Sequence, residues 1–110
     1  MSYCVMRAFG TIKVKSDKCE EVERILDESD VFSEVDRSEK DGIDVSSDYR
    51  RYDEEDAVAL YKQLVPYIVS AEIEFEGEDG TYWKHAFRDG KWIEQTGEIV
   101  YKGSFELLKR

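Results

Sequence analysis

Alternating glutamates form the most conspicuous group of chemically active side chains in this sequence. Residues 71–90 read AEIEFEGEDG TYWKHAFRDG, with a carboxylate at every second position before the first turn. The acidic row consists of Glu72, Glu74 and Glu76, continued by Glu78 and Asp79. Alternate residues of a strand lie about 6.5–7 Å apart, so such a row could imitate a nucleic-acid backbone to a basic groove. The alternative is the solvated side of an antiparallel sheet, which is the more common arrangement.

A second candidate contact surface combines tyrosine with arginine. Its members are Tyr49, Arg50, Arg51 and Tyr52, which precede the second predicted helix, and Tyr82, which we expect on the solvated side of its strand. Tyrosine and arginine are enriched at the energetic centres of protein interfaces. The alternative is a surface loop whose tyrosines fold back onto the core, and the sequence favours neither.

His85 is the single histidine of the chain. The strand pattern places it on the inner face between Trp83 and Phe87, opposite Glu94. A histidine paired with a carboxylate could act as a general base, but the sequence marks no nucleophile and no oxyanion site. We therefore expect a hydrogen-bonded structural histidine and a protein that is not an enzyme.

The sequence also predicts no metal and no cofactor. The acidic stretches EGEDG and DGIDVSSD do not match the spacing of an EF-hand loop. The motifs GxGxxG, GxSxG and HExxH and the P-loop are missing from the sequence. Cys4 and Cys19 are the only cysteines and form no CxxC pair, so we expect reduced thiols in the cytoplasm.

The charge balance indicates the class of partner. The chain has 110 residues, with 26 Asp and Glu against 16 Lys and Arg, and a net charge of −10. Repulsion disfavours direct binding to nucleic acid and to anionic membranes, and attraction favours a protein partner with a basic surface. The alternative is that acidity serves only solubility. We also expect no membrane span and no signal peptide.

The elements that position these side chains follow from periodicity and turn residues. We expect one domain over residues 1–110, with the order β-α-β-β-α-β-β-β. The first strand covers residues 3–15, with Gly10 at a bulge or bend, and the first helix is capped by Asp17 with Glu20. A strand beginning near Val31, a turn at residues 40–42 and a short strand at residues 43–45 follow.

The second predicted helix begins after an N-cap at Asp53 and ends near Leu64, because Pro66 stops it. A meander follows, in which a three-residue loop with a left-handed Gly80 fixes the register of the first hairpin. That register pairs four residues with four others: Ala71 with Phe87, Ile73 with His85, Glu74 with Lys84, and Phe75 with Trp83. It puts each apolar pair on the core side.

The second hairpin turns at residues 89–90. Of two registers, we prefer the one that pairs Phe87 with Trp92, because it brings two aromatic rings together. Gly97 is predicted to allow a bulge, since the apolar alternation changes phase before Ile99. Residues 104–108 are predicted to add a short edge strand.

These elements predict an α+β fold. We expect a two-layer sandwich, in which two helices pack on one face of a mostly antiparallel sheet. A ferredoxin-like arrangement with an extended meander is one version of this fold, and the strand order stays open.

Residues 66–101, PYIVSAEIEFEGEDGTYWKHAFRDGKWIEQTGEIVY, resemble a group of small bacterial and phage proteins. The shared features are an acidic Gly-Glu-Asp-Gly turn, an aromatic-rich strand and a second Asp-Gly or Asn-Gly turn. The resemblance implies a small protein of a bacterial or mobile-element genome. It implies no activity and no role for any particular residue.

Two hypotheses for the function follow. The first is a non-enzymatic protein-binding module, in its sharpest form a phage inhibitor that mimics nucleic acid and blocks a basic groove of a host defence or DNA-processing protein. The second is an accessory or structural interaction domain, in one version a homodimer that pairs through an exposed edge strand.

Overall fold

The computed structural model describes residues 3–38 and 40–97. Its strands and helices follow the order that the sequence predicts. They are β1 (Tyr3–Val14), α1 (Cys19–Ser29), β2 (Glu34–Arg37), β3 (Gly42–Tyr52), α2 (Glu54–Leu64), a 3-10 turn (Val65–Tyr67), β4 (Ile68–Gly77), β5 (Tyr82–Arg88) and β6 (Lys91–Gly97).

The strands form a 6-stranded sheet in the order β2-β3-β1-β4-β5-β6, and all neighbours are antiparallel. The part β2-β3-β1-β4 interleaves two β-α-β units, which is the ferredoxin-like arrangement. Helices α1 and α2 contact each other and share one core, so both lie on the same face of the sheet. The meander β5-β6 extends this sheet beyond β4, so the predicted α+β sandwich is confirmed.

The core lies between the helices and the sheet. Helix α1 contributes Val22, Ile25 and Leu26, and α2 contributes the predicted stripe Ala57, Leu60, Tyr61 and Leu64. The sheet contributes alternate residues of its strands, among them Ile12, Ile43 and Ile73, all at 0% exposure. The helices bury their apolar stripes here because the amphipathic spacing leaves their charged residues on the outside.

The caps of the two helices differ. Asp53 is the N-cap of α2, and its carboxylate accepts a hydrogen bond from the Glu55 backbone N–H at 2.9 Å. The prediction for α1 was wrong, because its N-cap is Lys18 and no side chain caps it. Asp17 instead adopts a left-handed conformation with φ 67° in the turn before the helix. An Asp tolerates this conformation better than most residues. Because the turn includes Asp17, α1 begins later than the sequence predicted, at Cys19.

Strand β3 is the main difference from the expected elements. The sequence predicted a short strand at residues 43–45, whereas β3 spans 11 residues to Tyr52. The preceding strand begins at Glu34, although Phe32 before it is buried in the core. β3 is long because β1 pairs with it from Gly42 to Tyr52, whereas β2 pairs only with residues 43–46. The pairing with β1 gives hydrogen-bond partners to the backbone of the polar stretch SSDYRRY, whose composition is typical of a loop.

Gly10 marks a close approach between strands, not the predicted bulge. The pairing of β1 is regular around Gly10, and the irregularities fall between Val5 and Arg7 and between Lys13 and Val14. A Cβ on Gly10 would lie 2.1 Å from the Glu72 backbone oxygen. Only glycine fits here without moving β4.

Both predicted hairpin registers are confirmed. Ala71, Ile73, Glu74 and Phe75 oppose Phe87, His85, Lys84 and Trp83 respectively, and in the second hairpin Trp92 opposes Phe87. Gly80 has φ 85°, as the three-residue loop requires. The second hairpin shows no register shift up to Gly97. Ile99 and the predicted strand at residues 104–108 lie outside the described residues.

Candidate functional site

The face of the sheet away from the helices forms an open surface. Directly opposed residues share a face, so the register assembles its rows across the strands. One row runs from Asp36 through Asp44, Thr11, Glu72 and Ala86 to Ile93. The next row runs from Glu34 through Ser46, Phe9, Glu74 and Lys84 to Gln95. We call this surface the open face.

Phe9 lies near the centre of the open face. Its side chain is 48% exposed, although it belongs to the central strand β1. The Arg7 guanidinium lies 6.0 Å from the centre of its ring. A shallow depression of about 310 Å³ adjoins Phe9 and reaches Asp36 and Asp44. The sheet thus presents an apolar ring to solvent within a polar and mainly acidic surface.

The predicted acidic row lies on the open face, but most of it is paired. Lys84 Nζ lies 3.4 Å from a carboxylate oxygen of Glu72. Glu76 accepts hydrogen bonds from Arg7 at 3.1 Å and from the Tyr82 hydroxyl at 3.1 Å. Glu74 has no ion pair or side-chain hydrogen bond to any residue that the structure describes. The carboxylates therefore differ, and Glu74 is the one left without a partner cation.

The open face contains more carboxylates than the row in β4. Strand β2 adds Glu34 and Asp36, and β3 adds Asp44 and Asp48. Asp44 accepts a hydrogen bond from the Thr11 hydroxyl at 2.9 Å, and none of these four forms a salt bridge with a described residue. Sequence analysis missed this set because the pairing of β1 with β3 was not predicted. The alternation of polar and apolar residues in DGIDVSSD was the available signal.

The turn residues of the acidic row lie at the end of the β4-β5 hairpin. Glu78 is exposed, and its backbone N–H donates to the Cys4 carbonyl at 3.0 Å. The Asp79 carboxylate accepts from the Thr81 backbone N–H at 3.1 Å. Asp79 thus stabilises the turn, whereas the glutamate side chains of β4 face solvent on the open face.

The predicted tyrosine and arginine cluster does not form one surface. Residues 49–52 end strand β3 and are not a loop. Tyr52 packs against Phe75 and Trp83, with ring centres 5.8 and 5.6 Å away. Tyr49 stays 62% exposed, and Arg50 lies 3.6 Å from Asp30. Because Tyr82 bonds to Glu76 on the open face, the five residues point to different parts of the molecule.

A second site lies on the helix side of the sheet. We call it the aromatic cleft, and its walls include Tyr52, Tyr61, His85 and Trp92. Tyr61 on α2 and Glu94 on β6 hold the buried His85 between them. The Tyr61 hydroxyl lies 2.6 Å from His85 Nδ1, and His85 Nε2 lies 3.1 Å from a Glu94 oxygen. The predicted pairing of His85 with Glu94 is confirmed. The role of Tyr61 was missed, because a tyrosine in an apolar helix stripe looks like ordinary core.

Burial determines the protonation states of His85 and Tyr61 in this chain of hydrogen bonds. Burial lowers the pKa of His85, although the nearby Glu94 carboxylate opposes this shift. Burial also raises the pKa of Tyr61 well above its usual value. At neutral pH, Tyr61 therefore donates to the Nδ1 lone pair of a neutral His85, and the Nε2–H donates to Glu94.

The described residues offer no metal site of the ordinary kind. No group of three or more His, Cys, Asp or Glu side chains within residues 3–38 and 40–97 is arranged to hold a metal ion. In the same part of the chain, no helix has both the length and the apolar character needed to cross a membrane.

Comparisons with known proteins identify no relative. No family model matches the chain, and no curated protein and no solved structure is significantly similar to it. The open face and the aromatic cleft are therefore the features of the molecule that indicate its function.

Proposed function

We propose that this protein is a non-enzymatic binding module whose open face contacts a basic surface of a protein partner. The observation that carries the proposal is Phe9, a half-exposed aromatic ring in the central strand with carboxylates around it. Protein interfaces commonly have an apolar contact at the centre and polar groups at the rim.

The charge of the open face indicates the chemistry of the partner. Glu74 and the carboxylates of β2 and β3 form no salt bridge with a described residue, so they can attract a cationic surface. The net charge of −10 adds a long-range attraction. A partner that contributes lysine or arginine side chains around an apolar contact to Phe9 would suit this face.

The sharper form of the proposal is inhibition by nucleic-acid mimicry. In this form the partner is a host defence or DNA-processing protein, and the open face occupies its basic groove. The carboxylate spacing along β4 and the resemblance to bacterial and phage proteins support this form. The pairing of Glu72 with Lys84 and of Glu76 with Arg7 reduces the free charge of the row. Mimicry would therefore depend on Glu74 and on the carboxylates of β2 and β3.

A charge reversal at Glu74 tests the proposal. Reversing Glu72 or Glu76 would also break an ion pair, whereas Glu74→Lys breaks none among the described residues. Glu55→Lys on the exposed side of α2 is the matched control, because it changes the net charge by the same amount. Each variant is used to capture proteins from a bacterial lysate, and the affinity of the recovered partner is then measured.

We expect Glu74→Lys and Phe9→Ser to reduce partner binding at least about tenfold, as at an interaction centre, and Glu55→Lys to leave it nearly unchanged. Circular dichroism and urea unfolding establish that the variants are folded. If Glu74→Lys and Glu55→Lys weaken binding equally, only net charge matters and the open face is not the contact. If folded Phe9→Ser binds normally, Phe9 is not the anchor.

A further inference from the structure

The aromatic cleft contains a cavity of about 150 Å³ between α2 and the strands β5 and β6. Its walls include Tyr52, Tyr61, Trp92, His85, Glu54 and Glu94. Trp92 stacks on Tyr61 with ring centres 3.9 Å apart and an angle of 12° between the planes. The cleft lies on the helix side of the sheet, so the open face is not part of it.

The charges that line the cavity favour a cation. The carboxylates of Glu54 and Glu94 are part of the wall, and among the described residues no lysine or arginine contributes to it. Within this part of the chain, an anionic ligand would therefore meet two negative charges and no positive one. The imidazole of His85 adds no charge at neutral pH, because burial lowers its pKa.

The same two carboxylates act on Tyr52, another residue of the wall. The pKa of Tyr52 is raised to about 12, first by burial and then by the charges of Glu54 and Glu94. Because these carboxylates disfavour a second negative charge at the wall, they would favour a positive charge in the cavity.

The aromatic residues indicate which cation fits. Tyrosine and tryptophan rings attract a cation through the negative charge of their faces, and alkylated ammonium groups combine positive charge with an apolar surface. The wall also contains the apolar side chains of Ala57 and Val58. The Trp92 Nε1–H is buried and has no acceptor among the described residues.

We propose that the aromatic cleft binds an alkylated ammonium group, held by Tyr52, Tyr61 and Trp92 and by the carboxylates of Glu54 and Glu94. The group could belong to a free small molecule or to a methylated lysine of a protein. Both sources present the same chemistry to the cleft. Aromatic walls with a few directed polar groups are common in small-molecule sites, and a cavity of about 150 Å³ admits only a small group.

The test compares choline with 3,3-dimethyl-1-butanol, which has the same shape and no charge. The NMR signals of the Trp92 indole and the His85 imidazole are followed while each compound is added. We expect saturable shifts with choline and at least about tenfold weaker binding of the neutral compound, because charge supplies the selectivity. Equal effects of both compounds, or no shift with either at high millimolar concentration, would overturn the proposal.

Three conservative variants locate the binding site. We expect Glu94→Gln and Glu54→Gln each to weaken choline binding about two- to fivefold, as for a partly exposed charge pair. Glu74→Gln on the open face is the matched control and should change it little. If the control weakens binding as much as Glu94→Gln, the cation binds only through overall charge and the cleft assignment is wrong.

A trimethyllysine peptide distinguishes the two sources. Its affinity is compared with those of choline and of the same peptide with unmodified lysine. If the methylated peptide binds at least tenfold more tightly than choline, the cleft recognises a protein side chain. If choline binds as tightly as the peptide, the ligand is a free small molecule. Either result supports the cleft, and failure of both ligands to bind would exclude it.

Discussion

At the scale of single residues, His85 shows how burial and hydrogen bonding compete. Its side chain is 6% exposed, and both ring nitrogens have partners. Burial disfavours the charged imidazolium, whereas Glu94 favours it, and burial is the larger effect. The neutral ring then uses one nitrogen as acceptor and the other as donor. Its neutral, directed state makes His85 a positioning element of the aromatic cleft.

The pH dependence of stability follows from this state. Because the pKa of His85 is lower in the folded protein than in the unfolded chain, the unfolded chain takes up the proton first. The contribution of neutral His85 to stability is complete above about pH 6.5 and is lost as the pH falls through the folded pKa.

Urea unfolding of the wild type and of His85→Gln between about pH 7.5 and about pH 5.5, about one unit on either side of the ordinary histidine pKa, measures this loss. His85 is the single histidine, so the variant should lose most of the pH dependence in this range. An NMR titration gives the pKa directly, and Glu94→Gln should lower it further. A folded pKa above the ordinary value would contradict the argument.

The Tyr61 hydroxyl provides a second prediction at this scale. In Tyr61→Phe, the buried Nδ1 of His85 loses its hydrogen-bond donor. We expect a loss of about 1–3 kcal/mol in the free energy of unfolding. Tyr82→Phe is the control, because its bond to Glu76 is only partly buried and should contribute less than about 1 kcal/mol. Equal losses of unfolding free energy in the two variants would show that the buried hydrogen bond contributes no more to stability than the partly exposed one.

At the scale of elements, strand β1 organises the molecule. It lies between β3 and β4 in the sheet and pairs with both of them. In the chain, α2 separates β3 from β4. Its outward residues Phe9 and Thr11 join the carboxylates of β3 and β4 into one open face. Its inward Gly10 lets the β4 backbone approach. The position of β1 thus creates both the core contact and the candidate interface.

Adding a methyl group at Gly10 should reduce the stability of the fold far more than adding one at Gly90 in the β5-β6 turn. Gly10→Ala forces a Cβ against the Glu72 backbone oxygen at 2.1 Å, and we expect a loss of about 3 kcal/mol or more. Gly90→Ala meets no atom within 4 Å but has φ 81°, so it should cost about 1–2 kcal/mol. Urea unfolding of both variants gives the comparison. A smaller effect at Gly10 would mean that β4 moves away easily.

At the scale of the whole molecule, the net charge separates the two proposed classes of function. A net charge of −10 attracts a basic partner and repels a second copy of the chain. The β2 edge of the sheet is short and carries Glu34, Asp36 and Arg37, features that discourage strand pairing between copies. Salt therefore affects the two kinds of association in opposite directions.

This opposition gives a prediction for solution measurements. Binding to a basic partner through the open face should weaken as the salt concentration rises, because the charges are screened. Self-association of an accessory domain should strengthen over the same range, because the repulsion is screened. Analytical ultracentrifugation from about 0.05 to 0.5 M salt, a range in which the screening length falls severalfold, follows both. If the copies associate more tightly as salt rises and no basic partner is recovered, the accessory function replaces the inhibitor hypothesis.

The sequence by itself determined the local parts of this protein. Helix α2 was predicted from three local signals: the apolar stripe from Ala57 to Leu64, the N-cap at Asp53 and the stop at Pro66. Such signals can be recognised in sequence because capping and helix periodicity involve residues only a few positions apart. The three-residue loop with Gly80 predicted the pairs of the first hairpin. The pairing of His85 with Glu94 followed from the second turn in the same way.

Only the tertiary structure decided which distant elements meet. The length of β3 and the close approach at Gly10 depend on β1 lying between two strands that are remote in sequence. The same placement pairs Glu76 with Arg7 and gathers the carboxylates around Phe9. Tyr61 meets His85 because α2 packs over β5. Non-local pairing leaves no periodic signal in one chain. The acidic row and the nearby Lys84 were therefore predicted, while the ion pair of Glu76 with Arg7 and the cleft were not.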